Sequence, residues 1–210
     1  MHVLVVASQK GGTGKTTLSG HIAVQAERSG FGPVALLDTD PQAGLSEWWN
    51  VRKADTPAFA QITDSLPKTL TGLNKIGIRL VVIDTPPALG TSIAATVAQA
   101  DVVLIPCQPS PHDLRAVGGT VDIVRRAGKP MIFIVNRTRA RTRLTADAAI
   151  ALSQHGTVAP TMIEDRQDFR TAMIDGRTAV ELDPTSKAAE EIAGLWRYLV
   201  DRLEIRRAAA

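Results

Sequence analysis

The stretch Gln9–Thr17 reads Gln-Lys-Gly-Gly-Thr-Gly-Lys-Thr-Thr, between the apolar run His2–Ala7 and the segment Lys15–Arg28, whose apolar residues recur with helical spacing. Glycines in such a place let the backbone curl around a triphosphate with successive N–H groups pointing inward, and the following helix adds its positive dipole end. The alternative is a Gly-rich turn that binds nothing, which the Gly-Lys-Thr sequence in this strand-loop-helix context disfavours. The stretch therefore predicts a phosphate-binding loop.

Two side chains of this loop have chemical roles toward a nucleotide. We expect Lys15 to lie along the β- and γ-phosphates and the Thr16 hydroxyl to complete the shell of a Mg²⁺ ion. The predicted nucleotide-binding residues of the loop are Gly11, Gly12, Thr13, Gly14, Lys15, Thr16 and Thr17. Thr16 is also a predicted metal ligand.

Short apolar runs alternate with segments of helical spacing along the chain. The predicted strands are His2–Ala7, Pro33–Leu37, Arg79–Ile83, Val102–Ile105 and Met131–Val135, and the predicted helices between and after them are Lys15–Arg28, Leu45–Arg52, Ser92–Ala100, His112–Arg126 and Thr145–Gln154. This order predicts an α/β fold of the P-loop NTPase type, in three layers, with a mostly parallel twisted sheet and helices on both faces. We expect a loop with a short edge strand over Ala54–Pro67 and a long closing helix over Thr185–Arg207.

Composition limits the class of protein. The chain has 210 residues, enough for one generous core, so we expect one domain. Hydrophobic residues make up 44% and charged residues 21%, which argues against disorder, a disulfide scaffold or a fibrous repeat. The sequence has no apolar run long enough to predict a membrane span or a signal peptide. We therefore expect a cytoplasmic protein. Cys107 is the single cysteine, and its apolar surroundings predict a buried thiol.

Positive charge is concentrated in the second half of the chain, which supplies the whole formal excess of +3. The stretch from Arg115 to Arg143 contains eight basic residues and a single acidic one, Asp122. A local basic patch is expected there, and a polyanion is its natural partner.

Lys10 departs from the usual phosphate loop, since a second lysine is not needed to hold a nucleotide within one subunit. The sequence Lys-Gly-Gly-x-Gly-Lys-Thr resembles the signature of the ParA/MinD family of deviant Walker ATPases, and the resemblance extends over most of the chain. It implies ATP and Mg²⁺ as cofactors and an ATP-dependent homodimer. In such a dimer Lys10 reaches the phosphates of the partner's ATP, as an arginine finger does, so Lys10 and Lys15 are predicted catalytic residues.

Two predicted strands end in carboxylates, where hard oxygen ligands would meet the phosphates at one edge of the sheet. Residues 38–42, Asp-Thr-Asp-Pro-Gln, resemble a family segment, which implies that Asp40 positions the attacking water and that Asp38 supports the magnesium shell. Residues 80–87 resemble a Walker B strand followed by a switch, which implies that Asp84 holds a magnesium-bound water. Each aspartate, taken alone, could equally be a turn former or a helix cap.

Asn136 and Arg137, which follow the strand Met131–Val135, resemble the family's position beside the adenine. They are predicted cofactor-binding residues, although asparagine at the end of a strand is commonly only a turn residue.

Three functional classes remain open at this point. The segment Arg166–Gly176 matches the pattern Arg-x-x-Phe-x-x-Ala-x-x-x-Gly of ParA proteins, which favours a positioning or partition ATPase that binds DNA non-specifically. The chain is expected to resemble short ParA proteins without an N-terminal helix-turn-helix. The alternatives are a MinD-like membrane-cycling regulator, disfavoured because residues 204–210 lack a large apolar face, and a metabolic or kinase-like P-loop enzyme. Nitrogenase iron protein is set aside because it needs two cluster cysteines.

The predicted DNA-binding residues are Arg137, Arg139, Arg141 and Arg143, whose alternate spacing would put several guanidinium groups along one side of an extended loop. The alternative is a solvated basic loop, or arginines used in nucleotide and dimer contacts. The resemblance further implies slow hydrolysis stimulated by a ParB-like or cargo adaptor protein with a basic N-terminal peptide, and association with the nucleoid in the ATP state. The cargo could be a plasmid, a chromosome or a protein complex, and no membrane partner is expected.

Overall fold

The structure is a computed structural model that describes residues 1–88, 90–139 and 142–209, with the side chains of 204–209 excepted. Within these residues the strands are β1 (His2–Val6), β2 (Val34–Asp38), β3 (Ala58–Phe59), β4 (Leu80–Asp84), β5 (Val102–Cys107), β6 (Met131–Thr138), β7 (Thr157–Val158) and β8 (Ile163–Glu164). They form a sheet of order β3-β2-β4-β1-β5-β6-β7, and β8 also pairs with β6. Each of these pairings is parallel, so the carboxyl ends of the strands meet at one edge.

Helices connect the strands and cover both faces of the sheet. Their bounds are α1 (Lys15–Arg28), α2 (Gly44–Asn50), α3 (Leu66–Lys75), α4 (Thr91–Ala98), α5 (Pro111–Arg126), α6 (Arg143–Ser153), α7 (Gln167–Met173), α8 (Ala179–Leu182) and α9 (Lys187–Ala209). No described helix combines the length and the apolar character that a bilayer crossing requires.

Alternation within the strands divides the apolar residues between two cores. In β1, Leu4 and Val6 join a cluster with residues of α1 and α9, whereas Val3 and Val5 join a cluster with residues of α4, α5 and α6. Side chains of a strand point alternately to opposite faces, so a strand covered on both sides needs apolar residues throughout. The predicted three-layer α/β fold is therefore confirmed.

The prediction is close for the long elements and incomplete for the short ones. The five predicted strands and the closing helix are present, and the stripe of α9 that includes Leu195, Trp196 and Leu199 is buried as expected. Helices α3, α7 and α8 and strands β7 and β8 were not predicted. In α3, Leu66, Leu70 and Leu73 have helical spacing, but Leu70 alone is buried, and the other two pack on the core while partly exposed. β7 and β8 have two residues each, too few for alternation to show.

Cys107 is buried as predicted, and burial raises the pKa of its thiol to about 12.

Candidate nucleotide-binding site

The loop after β1 has the backbone conformation that its glycines allow. Gly12 and Gly14 have φ angles of 76° and 95°, in the left-handed region that side chains disfavour. A Cβ on Gly14 would lie 2.3 Å from the Nδ2 of Asn136. Gly14 is the N-cap of α1, and no side chain caps that helix. Its first N–H groups therefore remain available to an anion, as phosphate binding requires.

Lys15 lies at the start of α1 with only 6% of its surface exposed. Its Nζ is 3.4 Å from the carbonyl oxygen of Lys10. Burial lowers the pKa of Lys15, while Asp84 and Asp40 act in the opposite direction. A largely buried ammonium group with so weak a partner is suited to receive an anion at this place.

Asp84 lies at the end of β4, between the ends of β1 and β2. It is in register with Val6 on one side and with Asp38 on the other, so two carboxylates stand side by side at the edge of the sheet. The hydroxyl of Thr16 donates to Asp84 Oδ2 at 2.6 Å. Burial raises the pKa of Asp84 to about 7, against the Thr16 hydrogen bond, which lowers it, and Asp38 raises it further.

The donor set of Thr16 and Asp84 fits a magnesium ion. A hydroxyl and a carboxylate are already in contact beside the phosphate loop, and both are hard oxygen ligands of the kind that Mg²⁺ prefers. The raised pKa of Asp84 means that burial disfavours its negative charge, which a cation would stabilise. These two residues would hold the ion directly or through a bound water.

Asp38 has a structural role in addition to its predicted one. Its Oδ2 accepts hydrogen bonds from the backbone N–H groups of Leu45 and Ser46 at 3.0 and 3.1 Å, and its Oδ1 accepts one from Asp40 N. The carboxylate therefore caps the start of α2, which was the alternative that its position at a strand end left open. Its support of the magnesium shell stays a prediction.

Asp40 is partly exposed, two residues beyond the end of β2. One oxygen, Oδ1, accepts a hydrogen bond from the N–H of Gln42 at 2.9 Å. Within the described part of the chain no donor meets its second oxygen. Asp40 thus has a lone pair available at the edge of the sheet where the phosphates are expected, as its predicted action on water needs.

A cavity of 270 Å³ extends from the phosphate loop to the residues predicted to lie beside the adenine, and we call this part of the site the base end. It is lined by residues of α1, β6, β8 and α7, among them Gly14, Asn136, Arg137, Phe169 and Met173. Asn136 is buried and donates from Nδ2 to the carbonyl oxygen of Thr13 at 2.6 Å, so its amide oxygen can accept from a base. Both residues predicted beside the adenine line this cavity.

β6 continues past its predicted end at Val135 as far as Thr138, because its last residues pair with β8. The register shifts between Asn136 and Thr138, and Arg137, between them, has a φ angle of 54°. This irregularity leaves Arg137 exposed at the cavity mouth while Asn136 and Thr138 are buried.

The segment Arg166–Gly176, noted above only for its pattern, forms the outer wall of the cavity. Phe169 is buried against the ring of His21, with ring centres 5.1 Å apart, and Ala172 is fully buried. Gly176 has a φ angle of 77°, and a Cβ there would lie 2.4 Å from Arg52 Cα. The spacing of Phe, Ala and Gly therefore reflects the packing of α7 against α1 and the close approach of the turn after α7 to Arg52, just beyond α2.

A buried ion pair joins the segment after this wall to the residues that follow α2. The side chain of Arg52 is only 3% exposed. Its guanidinium makes two hydrogen bonds to the Glu181 carboxylate, at 2.6 and 2.9 Å, and one to the carbonyl oxygen of Gly176. Glu181 also accepts from the backbone and the hydroxyl of Thr178. Neither residue was predicted, since an Arg and a Glu 129 positions apart leave no local sequence pattern.

The side chain of Lys10 extends from the phosphate loop to α5. Its Nζ contacts Asp113 Oδ2 on α5 at 2.6 Å, and 39% of its side chain is exposed. Asp113 was not predicted to be part of the site. The Ser-Pro-x-Asp sequence at residues 110–113 signals a helix start, but it does not reveal a contact with a residue 103 positions earlier.

The predicted DNA-binding arginines are only partly arranged as expected. Arg137 and Arg139 are exposed on either side of the buried Thr138. The extended loop does not continue to Arg143, because that residue begins α6 and lies 3.6 Å from Asp147. Arg141 lies outside the described residues.

Comparisons with known proteins show which family the chain belongs to. Residues 4–180 match the family model described as the CobQ/CobB/MinD/ParA nucleotide binding domain. The chain is 32% identical over 200 residues to the maintenance of carboxysome distribution protein A of Halothiobacillus neapolitanus, covering 90% of this chain and 92% of that protein. It is 26% identical over 240 residues to the chromosome-partitioning ATPase Soj of Thermus thermophilus, covering 96% of each.

A solved structure shows the same fold. MinD of Pyrococcus horikoshii, in complex with Mg-ADP, superposes with a TM-score of 0.78 at 21% identity, covering 94% of this chain and 95% of that one. The match of the family model over most of the sequence decides the assignment: this chain belongs to the CobQ/CobB/MinD/ParA nucleotide-binding family.

Proposed function

We propose that this protein is an ATPase that dimerises with ATP and Mg²⁺, binds DNA non-specifically in that state, and positions a cargo through cycles of hydrolysis. The observation that carries the proposal is the place of Lys10. Lys15 is buried at the start of α1 and would supply the cation of its own phosphate loop, whereas the ammonium of Lys10 contacts Asp113 on α5 and its side chain is 39% exposed. A cation in that place can act on a nucleotide held by a second copy of the chain.

The residues of one subunit supply most of the hydrolytic site. The backbone from Gly11 to Gly14 and the start of α1 hold the phosphates, and Lys15 neutralises their charge. Magnesium held by Thr16 and Asp84 stabilises charge on the phosphate oxygens when it is bound. Asp40 orients the attacking water through its uncommitted oxygen, and Lys10 of the second subunit stabilises the charge that develops during transfer.

The nucleotide base occupies the 270 Å³ cavity between the phosphate loop and α7. The amide oxygen of Asn136 accepts a hydrogen bond from the amino group of adenine, which favours ATP over a nucleotide with a carbonyl at that position. Phe169 and Met173 provide the apolar wall.

DNA binding rests on the exposed arginines beyond β6. Arg139 has no acidic partner among the described residues, and Arg143 has only a distant one, so both can neutralise phosphates. Dimerisation doubles this basic surface, and because contacts add up within one binding event, the ATP state binds DNA more tightly than the monomer. The protein is then associated with the nucleoid in its ATP state.

The similarity to a carboxysome-distribution protein and to a chromosome-partitioning ATPase supports a positioning role. The cargo is a plasmid, a chromosome or a protein complex. Hydrolysis is slow until an adaptor on the cargo, a ParB-like protein with a basic N-terminal peptide, stimulates it.

The test is retention of a labelled duplex by the wild-type protein with ATP, ADP or no nucleotide, over a series of salt concentrations. We expect binding with ATP alone, and affinity that falls steeply with salt. Replacing Arg139 and Arg143 together by glutamine should lower the slope of log affinity against log salt by about four, roughly one for each of the phosphate contacts that the two subunits of a dimer lose. The matched control replaces the exposed Lys53 and Lys75, which lie away from this surface.

Two results would contradict the proposal. Equal retention of the duplex with ADP and with ATP would show that the nucleotide does not control DNA binding. Binding to anionic vesicles that requires ATP and persists in the Arg139 and Arg143 double variant would instead favour a membrane-cycling protein.

A further inference from the structure

We infer that Asp113 restrains Lys10 within its own subunit and thereby sets how much ATP the protein needs to dimerise. This inference rests on the proposed action of Lys10 on the partner's nucleotide. It assigns Asp113 as a positioning residue that opposes dimerisation until a triphosphate competes for the ammonium.

The Asp113 carboxylate is held tightly but is poorly supplied with donors. Its side chain is 3% exposed, on the first turn of α5. Oδ2 receives both the Lys10 ammonium, at 2.6 Å, and the hydroxyl of Ser110. Oδ1 is buried and has no hydrogen-bond partner among the described residues. Among the residues that the structure describes, Lys10 is thus the one cation in contact with the buried Asp113 carboxylate.

The end of β5 keeps this contact beside the phosphate loop. The side chain of Gln108 donates to the carbonyl oxygen of Gly12 at 2.8 Å, and the hydroxyl of Thr120 accepts from Gln9 N at 3.0 Å. These bonds join α5 and its preceding loop to the residues on both sides of Lys10. The phosphate loop and α5 are therefore already held together, at the distance that the contact between Lys10 and Asp113 needs.

Moving Lys10 to a second subunit would leave the Asp113 charge buried with Ser110 as its donor. Leaving a buried charge without its partner is unfavourable, so the contact opposes the closed dimer. The triphosphate of the partner's ATP carries more negative charge than one carboxylate and offers several oxygens. A diphosphate lacks the terminal group that Lys10 would meet. The contact with Asp113 therefore makes dimerisation more selective for ATP over ADP.

The opposite role for Asp113 gives opposite predictions. If the carboxylate instead orients Lys10 toward the second subunit, its removal weakens the dimer. The sign of the change in dimerisation therefore distinguishes a restraint from a support.

The experiment compares wild type with Asp113→Asn, which keeps the shape of the side chain and removes its charge. Dimer formation is followed by sedimentation velocity over a range of ATP concentrations and, separately, with ADP. We expect half-dimerisation at about tenfold less ATP in the variant, equivalent to roughly 1.4 kcal/mol, and a measurable dimer fraction with ADP. Asp122→Asn, an exposed carboxylate on the same helix, should behave as wild type. Asp113→Ser serves if the asparagine variant unfolds.

A second readout examines the monomer directly. Without nucleotide, an amine reagent should modify Lys10 at least about threefold faster in Asp113→Asn than in wild type, because the amine is no longer held against a carboxylate. Mass spectrometry of the Lys10 peptide gives the rate.

Each outcome has a distinct meaning. If wild type dimerises with ATP and Asp113→Asn needs the same amount or more, the restraint is wrong and the proposed function stands. Equal labelling of Lys10 in both proteins would also overturn it. If wild type stays monomeric with ATP, the proposed function fails, and the restraint fails with it because no dimer exists to oppose.

Discussion

The phosphate end and the base end of the nucleotide site are built in different ways. The phosphate end is a loop of consecutive residues, Gln9–Thr17, together with the ends of adjacent parallel strands, and its conformation depends on backbone angles at Gly12 and Gly14. The base end combines side chains from β6 and α7, and the segment after α7 is joined to the residues following α2 by the bonds of Arg52 to Gly176 and Glu181. The first end is thus determined locally, whereas the second depends on contacts between distant parts of the chain.

The largest expected effect lies where the two ends meet, at Gly14. In Gly14→Ala the new Cβ would lie 2.3 Å from Asn136 Nδ2, on a backbone with φ of 95°. We expect ATP affinity to fall about a thousandfold, roughly 4 kcal/mol, because the loop cannot keep its shape. Titration calorimetry measures it. Gly72→Ala, in α3 with nothing near its added Cβ, is the control. Affinity within a few-fold of wild type in Gly14→Ala would show that the loop adapts.

The next effect tests how the base end is fixed. Gly176→Ala places a Cβ 2.4 Å from Arg52 Cα, so the turn after α7 and the segment after α2 must separate. We expect a loss of about 3 kcal/mol in the free energy of unfolding, measured with urea. Gly77→Ala has a similar φ of 86° and open space around its Cβ, so it should lose only the backbone part, about 1 kcal/mol. Equal losses in both variants would mean that close packing at Gly176 contributes nothing.

His21 forms hydrogen bonds with residues near both ends of the nucleotide site, and its burial predicts that stability depends on pH. Its Nδ1 bonds to the carbonyl oxygen of Thr17, and its Nε2 accepts from the N–H of Ala179. Burial lowers the pKa of His21 to about 4, from an ordinary value of 6.5. The folded protein therefore binds this proton less readily than the unfolded chain. The contribution of neutral His21 to the free energy of unfolding is complete above pH 6.5 and is lost as the pH falls toward 4.

The measurement compares wild type with His21→Gln at pH 7 and pH 5. The stability advantage of wild type over the variant should shrink by about 2 kcal/mol between these values. The comparison is needed because Asp84, whose pKa is raised to about 7, has the opposite pH dependence and is common to both proteins. A constant difference between the proteins would show that His21 titrates normally.

The smallest effect separates the two ends directly. Phe169→Leu removes part of the apolar wall of the cavity, and we expect ATP affinity to fall about fivefold, roughly 1 kcal/mol. Affinity for inorganic triphosphate, which has no base, should not change. Phe59→Leu, on β3, is the control. A parallel loss for triphosphate would mean that the two ends are not independent.

The same difference explains which features the sequence reveals. The phosphate loop and the carboxylates of Asp38 and Asp84 are local patterns at strand ends, so they could be located before the structure was known. Asn136 was also located, because with Arg137 it resembles the family's position beside the adenine, directly after a strong apolar run. The roles of these residues in binding and hydrolysis remain predictions.

The remaining site residues depend on tertiary contacts. Asp113 is 103 positions from Lys10, and Arg52 is 129 positions from Glu181, so no spacing rule connects them. The family pattern of Arg166–Gly176 was visible in the sequence, but its physical basis, the approach of Gly176 to Arg52, was not. The extended loop predicted through Arg143 is wrong, because apolar residues such as Ala148 and Leu152 dock α6 on the sheet from that residue onward.

The central claim is that Lys10 completes the site of a second subunit. Sedimentation velocity of wild type and Lys10→Ala, each with ATP-Mg and with ADP-Mg, tests it most directly. The account predicts a species of about twice the 22.4 kDa monomer mass for wild type with ATP only, and a monomer for Lys10→Ala that still binds ATP. A Lys10→Ala protein that dimerises with ATP as readily as wild type would contradict it.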